Sequence, residues 1–140
     1  GWFEVTEEQP LFERVDEAFF VRLVDRFYAG VMADPVLAPL YPPGDVEGAK
    51  WRLRSFLVQF WGGPTTYSDE RGHPRLRMRH SPFAIGAAQR DAWFRHMATA
   101  VGEAADAGEI SADDEARMVS YFHRAAEHMV NRPADPAPVR

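Results

Sequence analysis

The sequence predicts an all-α fold, and three observations support this prediction. Apolar residues recur every three or four positions in four long segments, which is the period of a helix with one buried face. Glycines, prolines and capping residues separate these segments. The strict alternation of polar and apolar residues that indicates a strand never persists. With 140 residues and 46% hydrophobic content, the chain can form one domain whose core has room for a cofactor.

The first long helix is predicted from an apolar stripe that stops before Asp34-Pro35, because the residue before a proline disfavours helical geometry. A shorter helix is expected before Phe19. The stripe consists of Phe20, Leu23, Val24, Phe27, Tyr28, Val31 and Met32.

The second and third long helices are predicted in the same way. The second follows the acidic residues Asp45 and Glu47, which favour a helix N-terminus, and it ends at Gly62-Gly63-Pro64. The third ends at Gly108. Their apolar faces are Ala49, Leu53, Phe56, Leu57 and Phe60 in the second helix, and Trp93, Met97, Ala100, Val101 and Ala104 in the third.

The fourth long helix is predicted to begin at Ser111, a capping residue that is followed by acids in the first turn. The domain is expected to occupy residues 1–132. Residues 133–140 contain three prolines and are expected to be disordered. The buried face of the fourth helix is predicted to contain Met118, Val119, Phe122, Ala125, Ala126, Met129 and Val130.

The composition narrows the classes of function. The chain carries 16 basic and 21 acidic residues, a net charge of −5, so it is expected to repel nucleic acid and anionic membranes. The absence of cysteine excludes disulfides, thiolate metal sites and covalent haem attachment. No signal peptide is recognised, and no apolar run approaches the ~18 residues that span a bilayer. We therefore expect a soluble cytoplasmic protein.

The stretch from Gly62 to Pro82 lacks a helical period, and long irregular segments in small domains tend to be functional. It includes His80, which four arginines precede between positions 71 and 79 without an intervening acid. Imidazole is a common metal ligand, and clustered guanidinium groups bind carboxylates. An iron ligand beside a carboxylate-binding cluster suggests a haem with its two propionates. A solvated loop or a weak phosphate site is the alternative.

Seven short segments carry a resemblance to a known family. They are Arg26-Phe27-Tyr28, Tyr41-Pro42, Phe60-Trp61-Gly62-Gly63-Pro64, Tyr67-Ser68, Arg71 to His80, Pro82-Phe83 and Arg90-Asp91-Ala92-Trp93. In order and spacing they resemble the group II truncated haemoglobins, the 2-on-2 globins of bacteria and plants, over roughly residues 9–132. The resemblance implies a 2-on-2 helical sandwich around a non-covalent haem b. One departure lies at Val15-Asp16-Glu17-Ala18, where the family often has a glycine pair.

The resemblance also implies roles for individual residues. His80 matches the proximal histidine that binds the iron. Tyr28, Tyr41 and Trp93 match the positions that donate hydrogen bonds to a bound diatomic ligand, and buried donors would slow the escape of that ligand. From spacing alone, these three aromatic residues are more typical of a hydrophobic core, and the resemblance reverses that interpretation. Three other histidines, His96, His123 and His128, lie in predicted helices and are expected to be surface or satisfied core residues.

Further residues are expected around the cofactor. Ala49 matches the place where larger globins often carry a distal histidine, so no sixth protein ligand is expected. The helix face beyond it is expected to line the apolar wall, although its residues read equally as core. The predicted haem contacts are Arg52, Leu53, Phe56, Trp61, Tyr67, His73, Met78, Arg79 and Phe83, of which Arg52, Tyr67, His73 and Arg79 are candidates for the propionates.

The resemblance implies reversible binding of oxygen, and of small ligands such as NO, CO or sulfide. Tight binding suits redox chemistry of oxygen, NO or peroxide better than bulk transport, and such chemistry needs a reductase that the sequence does not identify. NO dioxygenase and peroxidase-like activities stay open. Two other classes are a gas sensor that acts through a partner and a cofactor-free helical interaction module. A homodimer contact is a further candidate, at the face from Phe122 to Ala126, although core packing explains this face equally well.

Overall fold

The computed structural model describes residues 11–64 and 85–130. The all-α prediction is confirmed, since these two ranges contain helices and turns and no β-strand. The α-helices are α1 (Leu11–Arg14), α2 (Glu17–Met32), α3 (Val46–Phe60), α4 (Ala87–Asp106) and α5 (Ala112–Met129), with 3-10 turns at Ala38–Leu40 and Pro43–Asp45. The tail at residues 133–140, which was predicted to be disordered, lies outside the described residues.

The helix ends follow local capping chemistry. The Asp16 carboxylate accepts a hydrogen bond from the Phe19 backbone N–H at 3.0 Å and caps α2, so the turn where the family often has glycines is closed by a side chain. The Ser111 hydroxyl caps α5 in the same way, accepting from the Asp114 N–H at 3.0 Å, as predicted. Gly108 follows α4 with a φ of 79°, a conformation that favours glycine.

The long helices form two packed pairs. Helix α2 packs against α3 and also against α4, and α4 packs against α5. This is the 2-on-2 arrangement, with the core between the pairs. No described helix has the length and apolarity needed to cross a membrane. The largest fully buried side chains in the core are Phe19, Phe20, Phe27 and Phe122.

The structure decides between two interpretations of one helix face. The face from Phe122 to Ala126, considered for a homodimer contact, lies in the core: Phe122 and Ala126 are each 1% exposed and Ala125 is 5% exposed. These residues are apolar because they pack inside one chain. A homodimer stays a prediction with no residues assigned to it.

Two partly buried ion pairs tie distant segments together. Arg14 binds Asp114 through two hydrogen bonds of 2.6 and 3.2 Å and joins α1 to α5. Arg26 of α2 binds Glu109, in the turn between α4 and α5, through two bonds of 3.0 Å. The hydrogen bonds from Arg26, with a further contribution from Arg22, hold the pKa of Glu109 below its usual value.

Candidate functional site

Three polar aromatic side chains from separate segments converge inside the fold. Tyr28 lies on α2, Tyr41 follows the 3-10 turn Ala38–Leu40, and Trp93 lies on α4. The rings of Tyr28 and Tyr41 meet edge to face, with centroids 5.3 Å apart. Phe27 packs against Tyr28 at 5.0 Å and against Trp93 at 5.6 Å. The structure thus brings together the three residues predicted to face a bound ligand.

A hydrogen-bonded network joins the three side chains, with the Tyr41 oxygen at its centre. The hydroxyls of Tyr28 and Tyr41 are hydrogen-bonded, and because this bond raises the pKa of Tyr28 and lowers that of Tyr41, we assign Tyr28 as the donor and the Tyr41 oxygen as the acceptor. The Trp93 indole N–H, which can only donate, also donates to that oxygen. Within the described residues, the Tyr41 hydroxyl proton has no acceptor. Of the three donors, Tyr41 is therefore the one whose acceptor does not lie among the described residues.

Burial keeps both phenols protonated. Burial raises the pKa of Tyr28 far above its ordinary value, and the neighbouring Tyr41 raises it further. Burial also raises the pKa of Tyr41, to about 12, although the hydrogen bonds from Tyr28 and Trp93 act in the opposite direction. Both hydroxyls therefore carry a proton at neutral pH and can act as donors.

Arg52 lies within electrostatic range of this network. It is bonded to the Asp45 carboxylate at 2.6 Å, and its side chain is about one third exposed. The guanidinium of Arg52 lowers the pKa of Tyr28, whereas Asp45 raises it. The structure thus gives Arg52 an acidic partner within the protein. Its contact with a propionate stays a prediction.

An apolar face of α3 lies beside the network. Ala49 is 8% exposed and Phe56 is 9% exposed, while Leu53 between them is partly buried against the core. These three residues are spaced so that they share one side of α3. Hydroxyl and indole donors that share a core with an apolar helix face fit the needs of a haem pocket, because one part must hold a gas ligand and the other a macrocycle.

Trp61 lies in an aromatic cluster of the core. Its ring contacts Phe20 at 6.1 Å, Tyr121 at 5.1 Å and Phe122 at 5.7 Å. Phe122 also contacts Trp93 at 6.0 Å, so it connects Trp61 to the network. Trp61 therefore packs in the core, and its contact with a haem stays a prediction.

Six of the predicted site residues lie outside the described residues. Their roles as iron ligand, propionate contacts and haem-packing residues stay predictions. They are His80 as the iron ligand, and Tyr67, His73, Met78, Arg79 and Phe83 as haem contacts.

Two features near the network were missed in the sequence. His96, expected to be an ordinary helical histidine, bonds through Nε2 to the Asp34 carboxylate at 2.7 Å. A glycine inside α2, Gly30, was the available signal, because a Cβ there would lie 2.5 Å from Nδ1 of His96. A small, mostly apolar cavity also borders Tyr41 and Trp93, lined by Leu37, Leu40, Ile85, Gln89, Arg90 and Met129 as well.

The sequence model described as bacterial-like globin matches residues 10–131 of the chain. The protein belongs to this globin family. It is 38% identical over 121 residues to the group 2 truncated hemoglobin YjbI of Bacillus subtilis (strain 168), an alignment that covers 86% of this chain and 88% of the relative. The resemblance to group II truncated haemoglobins is confirmed.

Solved structures of the family share the fold. The hemoglobin from the thermophilic phototrophic bacterium Chloroflexus aurantiacus is 49% identical, with a TM-score of 0.82 over 89% of this chain and all (100%) of that one. The truncated oxygen-avid haemoglobin from Bacillus subtilis is 34% identical, with a TM-score of 0.79 over 87% of this chain and 99% of that one. This globin therefore has the 2-on-2 fold, and its family membership implies haem-based gas binding.

Proposed function

We propose that this globin binds oxygen reversibly on a non-covalent haem b, with His80 as the iron ligand and Tyr28, Tyr41 and Trp93 on the ligand side. The haem supplies the gas-binding chemistry. The chain supplies donors at the place where the gas is held. The observation that carries the proposal is that the side chains of Tyr28 and Trp93 both hydrogen-bond to the hydroxyl of Tyr41. One solved relative is described as oxygen-avid, which agrees with a pocket rich in donors.

The donors have different tasks in this proposal. Tyr28 and Trp93 each direct a proton at the Tyr41 oxygen and thereby orient that phenol. The Tyr41 hydroxyl proton then points away from both and donates to the gas ligand. Accepting two hydrogen bonds makes the Tyr41 O–H a stronger donor, because hydrogen bonds in a chain polarise one another. Tyr41 is therefore the main donor, and Tyr28 and Trp93 position it.

The first experiment tests the haem and its iron ligand. We expect the haem-loaded ferrous protein to show an intense Soret absorption band that shifts reversibly with oxygen. His80→Ala should lose the haem, whereas His123→Ala, a change of another histidine on a described helix, should retain it. Failure of the original protein to retain haem, or retention of the unchanged spectrum by His80→Ala, would refute this assignment.

The second experiment tests the donors. Trp93→Phe should keep the haem and raise the oxygen dissociation rate about fivefold, since a hydrogen bond contributes about 1 kcal/mol. Trp51→Phe is a matched control, because Trp51 lies on α3 two residues from Ala49 and so outside its apolar face. An equal rate in Trp93→Phe and the original protein would show that the network does not hold the ligand.

A pocket that retains oxygen suits redox chemistry better than delivery. We propose that bound oxygen, NO or peroxide is converted with electrons from a reductase, in the cytoplasm, where reductants are available. Conversion of NO is measured by mixing the oxygen-loaded protein with NO and quantifying nitrate. Slow unloading of oxygen and no nitrate would leave the gas-binding proposal intact and direct the search to peroxide, or to sensing through a partner.

A further inference from the structure

Asp34, two residues after the end of α2, binds several partners through its side chain. Its Oδ2 lies 2.7 Å from Nε2 of His96 and 3.3 Å from the Arg95 guanidinium. Its Oδ1 accepts from the Val36 backbone N–H at 2.8 Å. The hydrogen bond with His96 is the largest cause that holds the Asp34 pKa below its ordinary value. The Asp34 side chain is 10% exposed, so the carboxylate is held mainly by protein groups.

Backbone hydrogen bonds connect Asp34 to the turn that carries Tyr41. The Asp34 carbonyl accepts from the N–H groups of Leu37 at 3.1 Å and Ala38 at 2.8 Å. The Ala38 carbonyl in turn accepts from the Tyr41 N–H at 3.0 Å. A displacement of Asp34 is therefore transmitted through two consecutive turns to the backbone of Tyr41.

His96 occupies the corresponding position on the other side. It follows Trp93 by three residues on α4, so the two side chains lie on neighbouring turns of one helix. The His96 ring packs where only glycine fits, since a Cβ on Gly30 would lie 2.5 Å from Nδ1. Gly30 is itself two residues from Tyr28 on α2. The contact thus lies where the segments that carry all three donors approach each other.

We propose that the Asp34–His96 bond is a positioning contact that fixes the Tyr41 turn relative to the Trp93 helix and so sets how firmly the network holds a gas ligand. The effect of this contact on the gas ligand rests on the proposed function, whereas its effect on the Trp93–Tyr41 hydrogen bond does not. Neither residue touches the ligand in this account, and both act through the hydrogen bond from Trp93 to Tyr41.

The test uses His96→Phe, which keeps an aromatic ring of similar shape but removes the Nε2 donor. His123→Phe is the matched control, because His123 is a helical histidine whose ring contacts Phe94 edge-on and bonds to no carboxylate among the described residues. We expect His96→Phe to raise the oxygen dissociation rate about threefold, less than Trp93→Phe, because the Trp93 bond is weakened and not removed. His123→Phe should leave the rate unchanged.

The double variant Trp93→Phe/His96→Phe makes the test specific. If His96 acts through Trp93, the second substitution adds nothing to the rate of Trp93→Phe. Multiplication of the two effects would overturn the inference. Asp34→Asn, which keeps an acceptor oxygen, should lie near the original rate, and Asp34→Ala near His96→Phe. These two variants preserve the test if His96→Phe folds poorly.

A readout without oxygen separates this inference from the proposed function. In protein with isotope-labelled tryptophan, the Trp93 indole N–H signal is the one that Trp93→Phe removes. His96→Phe should move this signal toward that of a free indole, whether or not haem is retained, and His123→Phe should not. If the original protein retains no haem, the proposed function fails, and the indole signal still tests whether His96 positions Trp93. An unmoved indole signal in a destabilised His96→Phe would show that the contact is structural only.

Discussion

Because Tyr41 is the shared acceptor of the hydrogen-bonded network, removing the hydroxyl of Tyr41 should destabilise the protein more than removing that of Tyr28. Tyr41→Phe removes the oxygen to which both the Tyr28 hydroxyl and the Trp93 indole donate. Tyr28→Phe removes one donor, and the Tyr41 oxygen still accepts from Trp93. Both substitutions delete a single oxygen atom from a ring and leave packing almost unchanged. Their difference in stability therefore measures the network.

The magnitude follows from the number of donors left without a partner. A buried donor without an acceptor costs about 1–3 kcal/mol, whereas a typical lost hydrogen bond costs about 1 kcal/mol. Tyr28 is 5% exposed, so its hydroxyl cannot readily turn to water. Trp93 is only partly buried and recovers some of its loss through solvent. We expect Tyr41→Phe to lower the free energy of unfolding by about 2–4 kcal/mol and Tyr28→Phe by about 1 kcal/mol.

Denaturant unfolding at neutral pH, followed by helical circular dichroism at matched haem content, measures both values. The double variant Tyr28→Phe/Tyr41→Phe should be no less stable than Tyr41→Phe, since it removes one of the two orphaned donors. A larger cost for Tyr28→Phe than for Tyr41→Phe would refute the assignment of Tyr41 as the shared acceptor. So would strict additivity in the double variant.

Three further predictions concern stability. Burial raises the pKa of Tyr41 and of Tyr121 to about 12, so the unfolded chain ionises first above about pH 10 and the free energy of unfolding should fall as pH rises from there. Tyr121→Phe should make that fall less steep, and a free energy of unfolding that stays constant across this pH range, measured by denaturant unfolding, would contradict the burial argument. The pKa of Glu109 is lowered, so its contribution to the free energy of unfolding is present above its unfolded pKa and lost as pH falls. Glu109→Gln should lower the free energy of unfolding by about 1–2 kcal/mol at neutral pH and by little in acid, and an equal loss at both pH values would contradict this pH dependence. Gly108→Ala should lower the free energy of unfolding by about 1–2 kcal/mol, because Gly108 has a φ of 79° and its surroundings are open. Gly44→Ala, equally open and without a positive φ, should cost less in thermal or denaturant unfolding, and equal costs would show that backbone strain is not the cause.

Much of the fold could be predicted because each long helix buries one face. Six of the seven residues in the predicted stripe of α2 are buried and the seventh, Met32, is partly buried, and the cap at Ser111 lies where expected. The starts of α2 and α4 were harder to predict. Helix α2 begins at Glu17 and α4 at Ala87, ahead of their predicted apolar periods, because the Asp16 carboxylate caps α2 and the Gln89 side chain accepts from the Gly86 N–H at the start of α4.

The site could be predicted only in part. Family resemblance pointed to Tyr28, Tyr41 and Trp93, whereas their spacing alone was more typical of a core. Which oxygen accepts depends on how α2, α4 and the intervening turn pack, and no local pattern encodes that. The Asp34–His96 contact is a similar case, since its partners lie far apart along the chain and meet only in three dimensions.

The shared oxygen of Tyr41 also has a consequence for folding. Its donors come from the helix before it and from a helix in the second half of the chain, so the centre cannot be assembled by any local segment. Closing so long a loop costs conformational entropy that only extensive packing repays. A partly folded chain that had captured its cofactor would therefore lack these donors and release gas quickly. Under the proposed function, slow release is therefore a property of the completed fold, in which the two halves of the chain have met.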